Sequence, residues 1–175
     1  FAVFGSGADT DQPVLSSGTW EILMTRSAKF STTELQLNAG ITTEFDAIAG
    51  LYNIGLNWLG SGIIEWVRKQ FFAECLDEDC YDVMIKEAND VEIGSNGIYI
   101  NPDFNNSKNS IQKGQIIGLT LNSKRGEIFR AVLEALSFQL KLALSALENA
   151  GGFKAEKIIC VGGGSKNHLW NQIRA

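Results

Sequence analysis

Two short runs combine residue types that could hold a phosphate or a nucleotide. The first is Ser16-Ser17-Gly18-Thr19. A glycine between hydroxyl residues lets backbone N–H groups approach an anion, and a threonine hydroxyl adds a donor. The same four residues also suit an ordinary β-turn. The second run is Val161-Gly162-Gly163-Gly164-Ser165-Lys166-Asn167. Three successive glycines clear side chains from a stretch of backbone on which a flat ring or a phosphate could lie. Asn167 could hydrogen-bond a base edge or a ribose. A tight strand-to-helix connection reads equally well from these glycines. The run is not a Walker A loop, because no Gly-Lys-Ser/Thr closes it. As a dinucleotide fingerprint it is incomplete: Gly162 and Gly164 fit, but Asn167 stands at the third glycine position.

The elements that must position these runs follow from periodicity. Val14 to Trp20 reads as a strand into a tight turn at Gly18, with Glu21 to Thr25 returning as the second strand of a hairpin. Leu51 to Asn57 is a short strand. Ser61 to Ala73 carries Ile63, Ile64, Val67 and Phe71 at helical spacing, with Ser61 as its cap. A polar helix follows over about 82–89. Gly97 to Asn101 is a strand stopped by Pro102, and Ile116 to Leu121 is another. The clearest element is a helix over 126–149: Ile128, Val132, Leu136, Leu140 and Leu144 recur every four residues, widened by Phe129, Leu133 and Leu147, with Arg130 and Glu134 off the stripe. Gly151-Gly152 ends it. Lys157 to Val161 is a buried strand, the glycines turn, and Ser165 opens a further helix. Strand, long helix, strand, helix is an α/β order.

Other chemistry-bearing residues take plainer roles. His168, the single histidine, reads as structural or surface. Asp77, Glu78 and Asp79 form a solvated acidic loop, and Asp9 and Asp11 suit turns or caps better than a metal. Trp20, Trp58 and Trp66 read as core. Cys75, Cys80 and Cys160 form no CxxC pair, so a structural zinc site is not expected and a reducing cytoplasm is. A net charge of −5 disfavours nucleic acid as a partner. No apolar run nears the roughly 20 residues that span a bilayer, and no signal-peptide pattern opens the sequence. With 45% hydrophobic and 20% charged residues over 175, one globular domain is the simplest reading. The start at Phe1 and the stop at Ala175, inside a helical pattern, read as cut ends.

One longer pattern binds these signals together. Gly114-Gln115-Ile116-Ile117-Gly118-Leu119, then seven residues, then Glu127-Ile128-Phe129-Arg130-Ala131-Val132-Leu133-Glu134 resembles the second signature of the FGGY carbohydrate kinases. Ser17-Gly18-Thr19 is similar to that family's second phosphate motif, and Gly162-Gly163-Gly164 with Asn167 to its adenosine motif. Gly97 to Pro102 resembles the strand before a nucleotide-side loop. The resemblance covers nearly the whole chain. Leu15 to Leu23 and Ala49-Gly50-Leu51-Tyr52-Asn53 look closest to members that act on deoxysugar ketoses, L-fuculose ahead of L-rhamnulose. Asp103-Phe104-Asn105-Asn106-Ser107 departs from the Gly-Glu-Arg of the xylulose-phosphorylating branch.

The resemblance implies an actin-like, ribonuclease-H-like α/β fold in its C-terminal kinase version, spanning 1–175. It implies MgATP as the phosphoryl donor, L-fuculose going to L-fuculose 1-phosphate, and cytoplasmic work. The partners implied are the sugar, ATP and an N-terminal kinase domain, with a homo-oligomer allowed and no nucleic acid or membrane. Ser17, Gly18 and Thr19 would face the phosphates, and Gly162, Gly163, Gly164 and Asn167 the adenosine. No residue here is assigned to a metal or to catalysis. The family's general base is an Asp just before the segment that begins at Phe1, so the isolated chain is expected to be inactive. Two other classes stay open on the residues alone. One is a nucleotide switch of the actin or Hsp70 type, which should lack the Gly114 to Glu134 pattern. The other is a dinucleotide oxidoreductase, which should answer NADH rather than ADP.

Overall fold

The computed structural model describes residues 2–30, 32–75, 79–105 and 113–175. Asp77, Glu78, Asn106 and Ser107 lie outside them. The chain sorts into two compact units, residues 1–58 with 139–165, and residues 59–138 with 166–175.

The first unit is built on a five-stranded sheet. After the short helix α1 (Ala2–Gly5) come β1 (Val14–Ser17) and β2 (Trp20–Ser27), paired antiparallel with Ser17 opposite Glu21. Helix α2 (Glu34–Asn38) leads into β3 (Thr42–Phe45) and β4 (Tyr52–Leu59), a second antiparallel pair. The last strand, β7 (Ile159–Val161), joins β1 in parallel, giving the order β3-β4-β2-β1-β7. Between them in sequence, the second unit holds α3 (Ser61–Phe71), α4 (Cys80–Asn89) and the antiparallel pair β5 (Tyr99–Asn101) and β6 (Gln115–Ile117). The helix α5 (Arg125–Gly151) gives its first half to the second unit and its second half to the first, and α6 (His168–Arg174) closes the chain.

The apolar stripe of α5 is buried as its spacing predicts: Phe129, Leu133, Leu136 and Leu147 are fully enclosed, while Leu144 is half-buried. At about 25 cal/mol per Å² of apolar surface, such a stripe is the main reason a helix of this length forms here. Gly152 ends it with a φ of +69°.

Several expectations are corrected. Arg130 is buried, not on the open face of α5; its Nε donates to Glu134 at 3.0 Å and its Nη1 to the Ala88 carbonyl. Ser61 is the first residue of α3 and Gly60 its cap. β6 stops at Ile117 because Gly118, at φ +90°, turns the chain so that a Cβ would collide with the Gly97 carbonyl. Leu119 and Leu121 are therefore exposed loop. β7 is half-buried, since it is the last strand at one end of its sheet. Trp20 is 43% exposed; Trp58 is buried; Trp66 is half-buried against Phe71 and Phe104. Among the described residues, no helix is long and apolar enough to cross a membrane.

Candidate functional site

Parallel pairing decides where the two candidate runs meet. Val14 lies opposite Ile159, Leu15 opposite Cys160 and Ser16 opposite Val161. Both strands point the same way, so Ser17-Gly18-Thr19 and Gly162-Gly163-Gly164 leave the sheet side by side at its carboxyl end. Ligands of open α/β sheets bind beyond that end, where loops rather than ladder partners face solvent.

The contact between the runs is backbone on backbone. Gly162 has a φ of +93°, which L side chains rarely adopt. A Cβ there would also lie 2.5 Å from the Ser17 carbonyl oxygen and 3.1 Å from its carbon. Two independent reasons thus demand glycine at this position. Gly163 has nothing within 4 Å of where its Cβ would be, and both Gly162 and Gly163 are exposed. Gly163 to Lys166 form a 3-10 turn rather than the start of a long helix, tied by the Ser165 hydroxyl donating to the Gly162 carbonyl at 2.7 Å.

The hairpin turn is simpler than expected in one respect. Gly18 keeps a negative φ, and a Cβ on it would meet only the Trp20 carbonyl at an ordinary 3.6 Å. The turn closes through the Gly18 N–H donating to that same carbonyl. Thr19 is exposed, and its hydroxyl is free of hydrogen bonds among the described residues.

Beneath the turn lies a group that the sequence reading passed over. Glu21 is fully buried. Its Oε1 accepts from the Ser17 hydroxyl at 2.9 Å, and its Oε2 from the Trp58 indole N–H at 3.0 Å. Trp20 reads as core in the sequence, but Glu21, Leu23 and Thr25 are the buried ones.

Asn167 is the cap of α6: its Oδ1 accepts from the Trp170 N–H at 3.0 Å. The cap engages the oxygen and leaves the Nδ2 hydrogens for another acceptor. Asn167 falls in the second unit, whereas Ser17, Gly18, Thr19 and Gly162 to Gly164 fall in the first. His168 is exposed on the first turn of α6. Asp9 and Asp11 are exposed loop residues, with Asp11 at φ +63°. Among the described residues no group of three His, Cys, Asp or Glu could hold a metal ion. A hollow of about 310 Å³ bounded by Thr33, Gln36, Leu37 and Ile41 contains none of the candidate residues.

Residues 14–175 match the C-terminal domain of the FGGY family of carbohydrate kinases. The chain belongs to this family. It is 48% identical over all 175 residues to the L-fuculokinase of Escherichia coli (strain K12), and 45% identical over 177 aligned positions to the L-fuculokinase of Haemophilus influenzae. It spans 36% and 37% of the length of those relatives. Among solved structures, the xylulose kinase from Rhodospirillum rubrum superposes with a TM-score of 0.84 over 96% of this chain and 33% of its own, at 21% identity. The Plasmodium falciparum glycerol kinase solved with ADP gives 0.75 over 95% of this chain and 33% of its own, at 22% identity.

The FGGY chain therefore has the actin-like ATPase fold of these sugar kinases. Its signature residues Glu127 and Glu134 hold one connection. Glu134 accepts from the Gly94 N–H and the Ser95 hydroxyl, and Glu127 from the Asn96 amide and the Lys124 N–H. Ser95 and Asn96 sit at φ +50° and +52°, a conformation that costs about 1 kcal/mol or more per residue and needs such partners.

Proposed function

We propose that the intact protein transfers the γ-phosphoryl group of ATP to a hydroxyl of L-fuculose, giving L-fuculose 1-phosphate and ADP, and that this chain supplies the nucleotide side. The observation that carries the reading is the packing of Gly162 on the Ser17 backbone, which sets two donor-rich turns side by side at the carboxyl end of parallel strands. At the Gly18-Thr19 turn, whose Gly18 N–H is engaged in closing it, the exposed Thr19 hydroxyl is the donor offered to the phosphates. Ser17 anchors that turn from below. Gly162, Gly163 and Gly164 give the adenosine a flat bed, and the Asn167 amide a donor to the base.

Whole-chain identity of 48% to a protein named L-fuculokinase supports the choice of sugar. The longer relatives support an N-terminal kinase domain as the partner that completes the enzyme. A catalytic base is assigned to no residue of this chain. Mg²⁺ enters bound to ATP, where it bridges phosphates and neutralises developing charge. No residue here is assigned to it. The cytoplasm is the compartment this reading calls for, since ATP is the donor and the three cysteines show no disulfide-framework spacing.

A coupled ADP-release assay on the full-length parent protein tests the proposal. The acceptors are L-fuculose, L-rhamnulose, D-xylulose and glycerol, each with MgATP. Turnover should prefer L-fuculose. Thr19→Ala should raise the KM for ATP about tenfold, the loss expected for one hydrogen bond to a charged group. Because Thr19 is exposed, the variant should melt like the wild type. Turnover with another sugar would discard L-fuculose and keep the kinase, and sugar-independent ATP hydrolysis would favour a nucleotide switch.

A further inference from the structure

Glu21 is a carboxylate taken wholly out of water, which is costly unless hydrogen bonds replace the lost hydration. Its two oxygens receive donors from two different strands. Ser17 stands on β1, Glu21 on β2 and Trp58 on β4, and these strands are consecutive in the sheet. On the other side of β1, Gly162 of the β7 turn rests on the Ser17 backbone. A lateral chain of contacts thus crosses four strands, and Ser17 is the residue through which it reaches both turns.

We propose that Glu21 is a positioning residue for nucleotide binding: through Ser17 it fixes the height and orientation of the Gly18-Thr19 turn and keeps it in register with Gly162. This rests on the reading that these turns hold the phosphates. The rationale is geometric. Gly18 has an ordinary backbone and Thr19 a solvent-exposed one, so the turn is held from below by the Ser17 hydroxyl as well as by its own closing hydrogen bond. Donors aimed at a phosphate must be placed to within a fraction of an ångström. Without Glu21 the end of β1 loses a tether, and the Ser17 backbone on which Gly162 packs is held less tightly.

The hydrogen-bond pattern also predicts which replacement is tolerated. In Glu21→Gln the amide oxygen can still accept from Trp58. The amide nitrogen can donate to Ser17, whose hydroxyl reverses to accept. In Glu21→Ala both donors lose this partner. Ser17→Ala removes one hydroxyl and leaves the Glu21 to Trp58 contact in place.

The test uses the full-length parent protein with Ser17→Ala, Glu21→Gln and Glu21→Ala, each checked by thermal melting. The readouts are the KM for ATP, the KM for the sugar, kcat, and ADP affinity by calorimetric titration. Ser17→Ala and Glu21→Ala should raise the KM for ATP and the Kd for ADP about tenfold, while the sugar KM moves less than about twofold. Glu21→Gln should recover most of the loss. If Glu21→Ala fails to fold, Ser17→Ala and Glu21→Gln carry the test. Folded variants with wild-type ATP and ADP parameters would overturn the inference alone, as would equal rises in both KM values. A wild-type parent that binds neither ATP nor ADP would overturn the reading of the site, and the inference with it.

Discussion

At the scale of single residues, Gly162 and Glu21 constrain the site more tightly than any hydroxyl in it. Gly162→Ala adds the cost of a positive φ, about 1–2 kcal/mol, to an overlap with the Ser17 carbonyl that only backbone movement can relieve. Calorimetric titration of the full-length variant should therefore show a larger loss of ADP affinity than Thr19→Ala; an equal or smaller loss would mean the two turns do not share one ligand. Glycine richness made the 162–164 run readable in the sequence, but not which glycine is indispensable. That follows from a strand pairing 145 residues away in sequence, between Ser16 and Val161. Glu21 was hidden for another reason. Its strand carries large apolar residues in both phases, so no period-two alternation marks Glu21 as one of the buried set.

Among the elements, α5 was the most legible, with ends placed within two residues, because a stripe sustained from Ile128 to Leu147 has no strand alternative. Its two faces should respond differently to truncation. Leu136→Ala, at a fully buried position, should cost about 2–5 kcal/mol in chemical denaturation, whereas Leu142→Ala, 73% exposed, should stay within about 0.5 kcal/mol. Helix α2 and strand β3 were missed, though for α2 a signal existed: Thr33 and Gln36 form a capping box, with Thr33 accepting from the Gln36 N–H and Gln36 accepting in return. β3 is an edge strand, mostly exposed and polar, so no hydrophobic alternation marks it. Between α3 and α4, Glu65 accepts from Arg68 and from the Tyr81 hydroxyl. The Arg68 hydrogen bond chiefly, set against partial burial and helped by Tyr81, lowers its carboxyl from an ordinary 4.5 to about 2. The folded carboxyl binds its proton less readily than the unfolded one, so its contribution is complete above pH 4.5 and disappears as the pH falls to about 2. Glu65→Gln should lower the melting midpoint at pH 6 and converge on the wild type near pH 2; parallel curves across that window would refute the assignment.

For the whole molecule, composition and charge argued against some classes of partner and identified none. The family emerged from one spaced pattern, Gly114 to Glu134, whose glutamates prove to clamp the strained turn at Ser95 and Asn96. A ligand that binds the folded state stabilises it by mass action, about 2.7 kcal/mol at a hundred times its Kd. ADP at that excess should raise the melting midpoint of the full-length protein by several degrees, and NADH at equal concentration should not. Trp20, which adjoins Thr19 and is 43% exposed, offers a fluorescence readout of the same titration. The backbone contact between Ser17 and Gly162 has a further bearing on how such an enzyme can be altered. A mutant library that randomises 16–19 while holding 162–165 fixed, or the reverse, would discard most of its members, since each turn is the mould for the other. Useful changes of nucleotide preference should instead arise as compensated pairs, one substitution on either side of the seam.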